Sequence, residues 1–516
     1  MDIIPKPYHY EEFPGFFMIL PKTMIRVFPA NQTVLRTVKH FTDKIYELSE
    51  INLPIVENKN FSSFTINFQI SKTDLGKEGY KLNINARYIL LEAETEIGLF
   101  YGIQSLIQII FKDLKYSPYL MIPTAKIEDK PRFEWRGMLL DVSRHFFDVD
   151  FIKRYIDYLS MFKFNIFHWH LTDDNGWRIE IKKYPELQKI SAWRAERKGI
   201  DWRDCEPQKP NEKTNYGGYY SQKEIKEIIE YAAERHVTII PEIEMPGHSL
   251  EVLAAFPDLS CSKGQYYVAT GAYWPNKDIL CAGNDAVFEF LENVLDEVVE
   301  LFPTKYIHIG GDEANKAEWK KCNLCQKRIK EENLKDENDL QSWFIKKIAD
   351  YLSKKGKQII GWEEILEGNI STDSIIMSWK GKSVEIEAVK SGHKVVMCPQ
   401  THCYFDHYQA DPSNEPVAIG GFTDLKKVYD FNPIPKELDK KESEYILGVQ
   451  GNLWTEWIDS SEHAEYMIFP RMMALAEIAW NNQEKNWEDF KRRVNRELKE
   501  FDKENINYCN HSFPEE

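Results

Sequence analysis

The sequence predicts an α/β protein, an eight-stranded (β/α)8 TIM barrel preceded by a small α/β domain. Three observations carry this. The chain has 516 residues, too many for one ordinary domain but enough for a barrel and a companion. From Trp135 onwards, short continuous apolar runs alternate with amphipathic helical stretches. Almost every run ends in polar, charged or Trp residues, as it should if the strands' carboxyl ends converge on one mouth.

The elements follow in order. Residues 1–125 read as the small domain. FTINFQI (65–71) and YKLNINARYILLEAE (80–94) alternate as strands do, the second turning at Asn85–Arg87, and TEIGLFYGIQSLIQII (95–110) has helical spacing. No reactive groups cluster there, so a structural companion is expected. IEDKPRFEW (127–135), with Pro131, reads as the linker, and the barrel as 130–516. The barrel runs are GMLLDVSR (137–144), FNIFHWHLTDD (164–174), VTIIPEIEMPGH (237–248), YIHIGGDEA (306–314), QIIGWEEIL (358–366), SIIMSW (374–379), KVVMCP (394–399) and YILGVQGNLWTEW (445–457). Helical stretches at 221–236, 286–302 and 340–356 separate several of them, whereas the sixth and seventh helices read as short or replaced by loops.

Composition narrows the function. A net charge of −16 and a pI near 5.5 argue against a nucleic-acid partner, which needs clustered Lys and Arg. There is no apolar run long enough to span a membrane. MDIIPKPYHYEEF lacks the basic and apolar segments of a signal peptide, so a cytoplasmic protein, or one starting at a mature end, is expected. Cys322-x-x-Cys325 looks like half of a zinc site, but no second Cys-x-x-Cys or nearby His pair completes it, so neither metal nor cofactor is expected. Cys261 and Cys281 flank a loop and would suit a disulfide in an oxidising compartment.

The sharpest feature is HIGGDEA (308–314). Neighbouring residues of a regular strand face opposite ways, so Asp312 and Glu313 would not share a pocket there. Gly310-Gly311 permits the irregularity that turns both inward. Two close carboxylates in an enclosed site push their proton affinities apart, leaving one base and one proton donor. Glycosidic cleavage uses that division.

HIGGDEA resembles the catalytic signature of glycoside hydrolase family 20, the β-N-acetylhexosaminidases. The resemblance continues through LLDVSRHFF (139–147), FHWHLTDDNGWR (167–178), PEIEMPGHS (241–249), GWEEIL (361–366) and VQGNLWTEW (449–457), and covers essentially the whole chain. It implies exo-acting, retaining, substrate-assisted hydrolysis of terminal GlcNAc or GalNAc, in which the substrate's own 2-acetamido oxygen attacks C1. Glu313 would be the acid and base, and Asp312 would orient the acetamide. Trp362, Trp379 and Trp454 would wall in its methyl, with Tyr404 donating to its carbonyl. Arg144, Asp406 and Glu456 would grip the sugar hydroxyls. Asp173 and His248 would line the pocket, with His170 bracing it from behind. The family usually has Asp after the Trp of GWEEIL, where Glu363 stands here, which puts the packing at Trp362 in question.

Two other readings compete. His168-x-His170 with Asp173, His248 and Asp312 could serve a metal-dependent hydrolase. A catalytically weak hexosamine-binding protein on the same scaffold would be expected to lose a carboxylate, yet both are present. The stretches 195–220 and 401–445 are expected to shape outer subsites.

Overall fold

The computed structural model describes residues 1–513 apart from 58–62, 111–118, 272–274, 369 and 382. The alternating segments near the amino terminus pair into a seven-stranded sheet. Its strands are β1 (His9–Met18), β2 (Met24–Phe28), β3 (Ile55–Glu57), β4 (Thr65–Ile70), β5 (Tyr80–Ile84), β6 (Tyr88–Ala93) and β7 (Met121–Asp129), in the order β1-β7-β5-β6-β4-β2-β3. The expected turn between β5 and β6 is fastened by the Asn85 side chain, which accepts from the backbone N–H groups of Arg87 and Tyr88. Two helices, Gln32–Ser49 and Glu96–Gln108, pack against the sheet and each other, capped by Asn31 and Thr95. Strand β7 runs on to Asp129, opposite Tyr80 of β5, so residues read as linker belong to the sheet. The connection is then only 130–134.

The apolar runs form a closed barrel of eight parallel strands. They are β8 (Trp135–Asp141), β9 (Ile166–His170), β10 (Thr238–Glu242), β11 (Tyr306–His308), β12 (Gln358–Trp362), β13 (Ile375–Ser378), β14 (Lys394–Met397) and β15 (Ile446–Leu453), closing between β15 and β8. Each lies within or overlaps one expected run, because strands covered on both faces stay apolar throughout. The helical layer thins on one side. The fifth crossover is a 3-10 turn (Glu363–Glu367), and the sixth and seventh helices are the short Val384–Lys390 and Leu425–Asp430. Among the described residues no helix is long and apolar enough to cross a membrane.

The first domain seals the amino-terminal end of the barrel, opposite the mouth. Arg136, buried at the start of β8, gives both Nη atoms to Glu78 at 3.0 Å and reaches the Tyr101 hydroxyl at 3.0 Å. Lys163, buried just before β9, places Nζ 2.8 Å from Asp129 Oδ2, 3.1 Å from the Tyr80 hydroxyl and 4.5 Å from the centre of the Trp480 ring. The Trp480 indole donates to the other oxygen of Asp129 at 2.8 Å. Removing one member of a buried ion pair strands the other, at about 3–5 kcal/mol. Lys163→Met should therefore lower the unfolding free energy measured in urea by an amount of that order, and adding Asp129→Asn should recover part of the loss. A single variant that unfolds like wild type would remove the junction's claim to stability.

Candidate active site

The carboxyl ends of the strands supply the site. Strand β11 stops at His308, and Gly310 and Gly311 follow with φ of 62° and 94°. Glu313 itself has a φ of 44°, and His248 opposite it a φ of 45°, both left-handed positions that cost a non-glycine residue energy. The result is the inward turn expected of the pair. His248 Nε2 lies 3.6 Å from Asp312 Oδ2 and 3.5 Å from Glu313 Oε2. Gly310 has a second reason to be glycine, since a Cβ there would fall 1.6 Å from Glu244 Oε2.

A cavity of about 260 Å³ opens at this mouth. Arg144, Asp173, His248, Asp312, Glu313, Trp362, Trp379, Tyr404, Asp406, Trp454 and Glu456 line it, joined by Gln400, His407 and Ile419. A larger cleft, of about 460 Å³, lies at the other end, lined by Lys44, Glu47, Arg154, Asp157, Arg496 and Glu500 among others. It lacks the convergence of strand ends.

Three aromatic planes face the cavity beside Trp362. Trp362 and Trp454 lie 5.7 Å apart between ring centres, Tyr404 and Trp454 6.2 Å, and Trp379 and Tyr404 6.2 Å in a near-parallel stack. Burial pushes the Tyr404 hydroxyl well above its usual range, so it remains a donor. Glu363, the departure from the family pattern, accepts from Ser378 Oγ at 2.9 Å and from the backbone N–H of Trp379 at 3.0 Å. It leaves Trp362 in place and fixes the turn that presents Trp379, whose indole donates to Glu364 at 3.1 Å.

Arg144 is held by three carboxylates: Asp141 at 3.0 Å, Asp173 at 2.8 Å and Glu456 at 3.8 Å. Its guanidinium also lies 5.3 Å from the centre of the Trp454 ring. Asp141 in turn accepts from the backbone N–H groups of Ser143, Arg144 and Thr455, locking the strand end. Buried oxygens of Asp406 (Oδ1) and Glu456 (Oε2) have no hydrogen-bond partner among the described residues.

His170, the expected residue outside the cavity lining, sits behind Asp173, with Nε2 2.9 Å from Asp173 Oδ2. Its other nitrogen bonds Glu242, a carboxylate whose importance the sequence reading missed. Glu242 Oε2 also lies 2.9 Å from His168 Nε2, while Oε1 lies 2.8 Å from His308 Nδ1 and accepts the Trp362 indole N–H at 2.9 Å. The five residues of the rival metal reading do not gather in one group: His168 and His170 turn to Glu242, while His248 stands with Asp312 and Glu313. Glu244 was missed as well. PEIEMPGH spaces Glu242 and Glu244 two apart, the interval at which a strand repeats its facing, and that signal could have flagged them.

The electrostatics are uneven. Burial would lower His248, but Asp173 at 3.1 Å outweighs it and raises the imidazole well above its usual range, making it a cation. Burial raises Asp312 to about 7, against the pull of His248 and with the help of Glu364 and Glu313. Glu313 is pushed up by burial, yet the hydrogen bond and charge of His248 bring it below the ordinary carboxylate range. Burial first, and then the neighbouring carboxylates, push Glu244, behind Asp312, well above that range. Without substrate, then, Asp312 is the member of the pair that keeps a proton near neutrality.

Comparison with known proteins gives the family. Residues 133–483 match the model for the catalytic domain of glycosyl hydrolase family 20, and residues 1–130 match domain 2 of that family. The chain belongs to glycoside hydrolase family 20. It is therefore a glycoside hydrolase by family, with the (β/α)8 barrel and preceding α/β domain seen in the fold. A β-hexosaminidase of Porphyromonas gingivalis is 41% identical over 98% of this chain, and one of Vibrio furnissii is 35% identical over 92%. The chain spans 64% of the length of the first and 76% of the second. The solved exo-β-N-acetylglucosaminidase of Vibrio harveyi, in complex with N-acetylglucosamine, superposes with a TM-score of 0.86 at 32% identity, covering 98% of this chain and 78% of that one. The β-N-acetylhexosaminidase of Bacteroides fragilis gives 0.83 at 32% identity, covering 98% and 96%.

The histidine behind Asp173 has a measurable signature. Burial lowers His170, but Glu242 and Asp173 outweigh it and raise its pKa to about 10. The bond to these carboxylates stabilises the fold fully below the unfolded value of about 6.5 and is lost as pH rises towards 10. The His170 ring signals in NMR should stay those of a cation between pH 6 and pH 8, and Glu242→Gln should bring their titration into that window. A wild-type midpoint near 6.5 would show that the carboxylates do not hold the proton.

Proposed function

We propose that the chain is an exo-acting, retaining β-N-acetylhexosaminidase that removes terminal non-reducing GlcNAc or GalNAc from glycans through an oxazolinium intermediate. The observation that carries this is Asp312 and Glu313 turned together beneath one cationic imidazole, at the edge of an aromatic-walled cavity sized for a sugar.

The aromatic walls fit the acetamide methyl, and the Tyr404 hydroxyl donates to the acetamide oxygen. That oxygen is pressed towards C1, so the nucleophile arrives tethered and the entropy of encounter is already met. As the C1–O bond breaks, Glu313 gives its proton to the leaving oxygen, and later takes one from the water that opens the oxazolinium. Asp312 accepts the acetamide N–H and offsets the positive charge that grows on the group. That role needs Asp312 ionised, whereas the free site leaves the proton there. The pair shares one proton, and an incoming N–H donor favours the Asp312 carboxylate and leaves the proton to Glu313. Arg144 and the unpartnered oxygens of Asp406 and Glu456 suit sugar hydroxyls, closing the pocket beyond one residue. A buried acceptor left unpaired costs about 1–3 kcal/mol, which a bound hydroxyl would offset.

On an aryl β-N-acetylglucosaminide, Glu313→Gln should lower kcat/KM by about 10²–10⁴-fold, and Asp312→Asn by a comparable factor. The aryl glucoside lacking the acetamide should be almost inert, and equal turnover of the two would sink substrate assistance. The pH profile tests the shared proton separately. Because kcat/KM reports the free enzyme, activity should fall above about pH 7, where the pair loses its last proton. His248→Gln removes the cation that favours the Asp312 anion and should move that limb upward. A limb that stays put would detach it from Asp312.

A further inference from the structure

Four cysteines remote in sequence meet outside the catalytic cavity. Cys261, Cys281, Cys322 and Cys325 are free thiols whose sulfur atoms all lie within 4.8 Å of one another. Cys281 Sγ is 3.6 Å from Cys325 Sγ and 3.7 Å from Cys322 Sγ, and Cys261 Sγ is 3.7 Å from Cys325 Sγ. Cys322-x-x-Cys325, which lacked partners in the sequence, meets a pair from another loop, and Cys261 and Cys281, for which a disulfide was conditional on the compartment, stand here as free thiols.

We propose that these four thiols form a structural zinc site. Zinc bound by four thiolates at about 2.3 Å sets the sulfurs at the corners of a tetrahedron with edges of about 3.8 Å. The three short separations match that edge and are far longer than the 2.05 Å or so of a disulfide. Cys281 is nearly equidistant from two other sulfurs, an arrangement that suits a shared ion better than either pairwise bond. Soft thiolate donors in tetrahedral array select zinc among the common divalent ions. On binding, the ion displaces the four thiol protons and leaves a complex of net charge −2.

The backbone around the thiols is built to hold them there. An antiparallel bridge between Ser260 and Leu280, with the Cys281 N–H donating to Leu259 O at 2.9 Å, sets the first two side by side. The second two lie on the first turn of the helix Asn323–Glu331. Gly283 lets the loops touch, since a Cβ there would fall 2.2 Å from the carbonyl carbon of Leu324. The Trp319 indole pins the same contact by donating to Leu280 O at 2.9 Å. Cys261 lies thirteen residues beyond His248, and Cys322 nine beyond Glu313. The ion would therefore fasten together the two loops that begin at the carboxylate pair and at its imidazole. Its part is to position them, with no contact to the reacting atoms.

Elemental analysis of the purified full chain, expressed with zinc available, should find one zinc per molecule. Titration with a mercurial should release it to a chromogenic chelator, with four thiols consumed per ion. Cobalt substitution should give the visible d–d bands of a tetrahedral tetrathiolate. Cys281→Ser and Cys325→Ser should lose the ion and unfold at lower temperature, and Cys509→Ser should keep it. The wild-type measurements decide even if those variants fail to fold. Zinc below a tenth of an equivalent overturns the proposal, whether peptide mapping then finds the sulfurs paired as disulfides or reduced. An equivalent of iron in place of zinc overturns it as well.

Discussion

A buried carboxylate at the centre of a barrel is costly unless its charge is met on several sides, and Glu242 is met on four. Burial would raise its proton affinity, but His308, His170 and His168 together drive it well below the usual range. Those partners arrive on β9 and β11, and the Trp362 indole arrives on β12, so one anion holds four side chains on three strands around its own. The catalytic arrangement hangs from this anchor. His170 carries its influence to Asp173, which steadies both Arg144 and His248, and His248 faces the carboxylate pair. Trp362 meanwhile begins the aromatic wall.

Much of this was legible in the chain. The barrel strands announce themselves because both faces of each are covered, so the apolar run is unbroken. Asp312 and Glu313 stand out because two glycines before two acids at a strand end have few structural uses. What stayed hidden has a common physical cause. Glu242, the cysteine quartet and the Asp141 brace each depend on at least one partner scores or hundreds of residues away, and sequence spacing carries no distance across a fold. Strand β7 was not foreseen, and its end was read as linker because Pro131 and the charges before it resemble one, whereas pairing with β5 holds the strand to Asp129. Glu363 looked like a disturbance at Trp362, but its carboxylate holds the turn at Trp379 instead.

The proton placement could not have been read from residue types at all. Asp312 and Glu313 are chemically alike, and the difference arises from which of them the His248 cation reaches by hydrogen bond and which is more deeply desolvated. The resting site is thus set for binding rather than for bond cleavage. In the mechanism proposed above, the acetamide that supplies the nucleophile would also supply the N–H that reorders the proton, so the group that attacks would also arm the acid.

Trp480 belongs by sequence to the helix Arg471–Trp480 that follows the last barrel strand, yet its ring lies in the hydrophobic core of the first domain, and its indole holds Asp129 at that domain's last strand. The boundary drawn along the chain is therefore not a line of separation in space. Cutting the gene there would leave the barrel with an indole and a lysine stripped of their counterparts, and the amino-terminal sheet with a hole where the ring had been. In this chain the two parts can be exchanged only as one cassette.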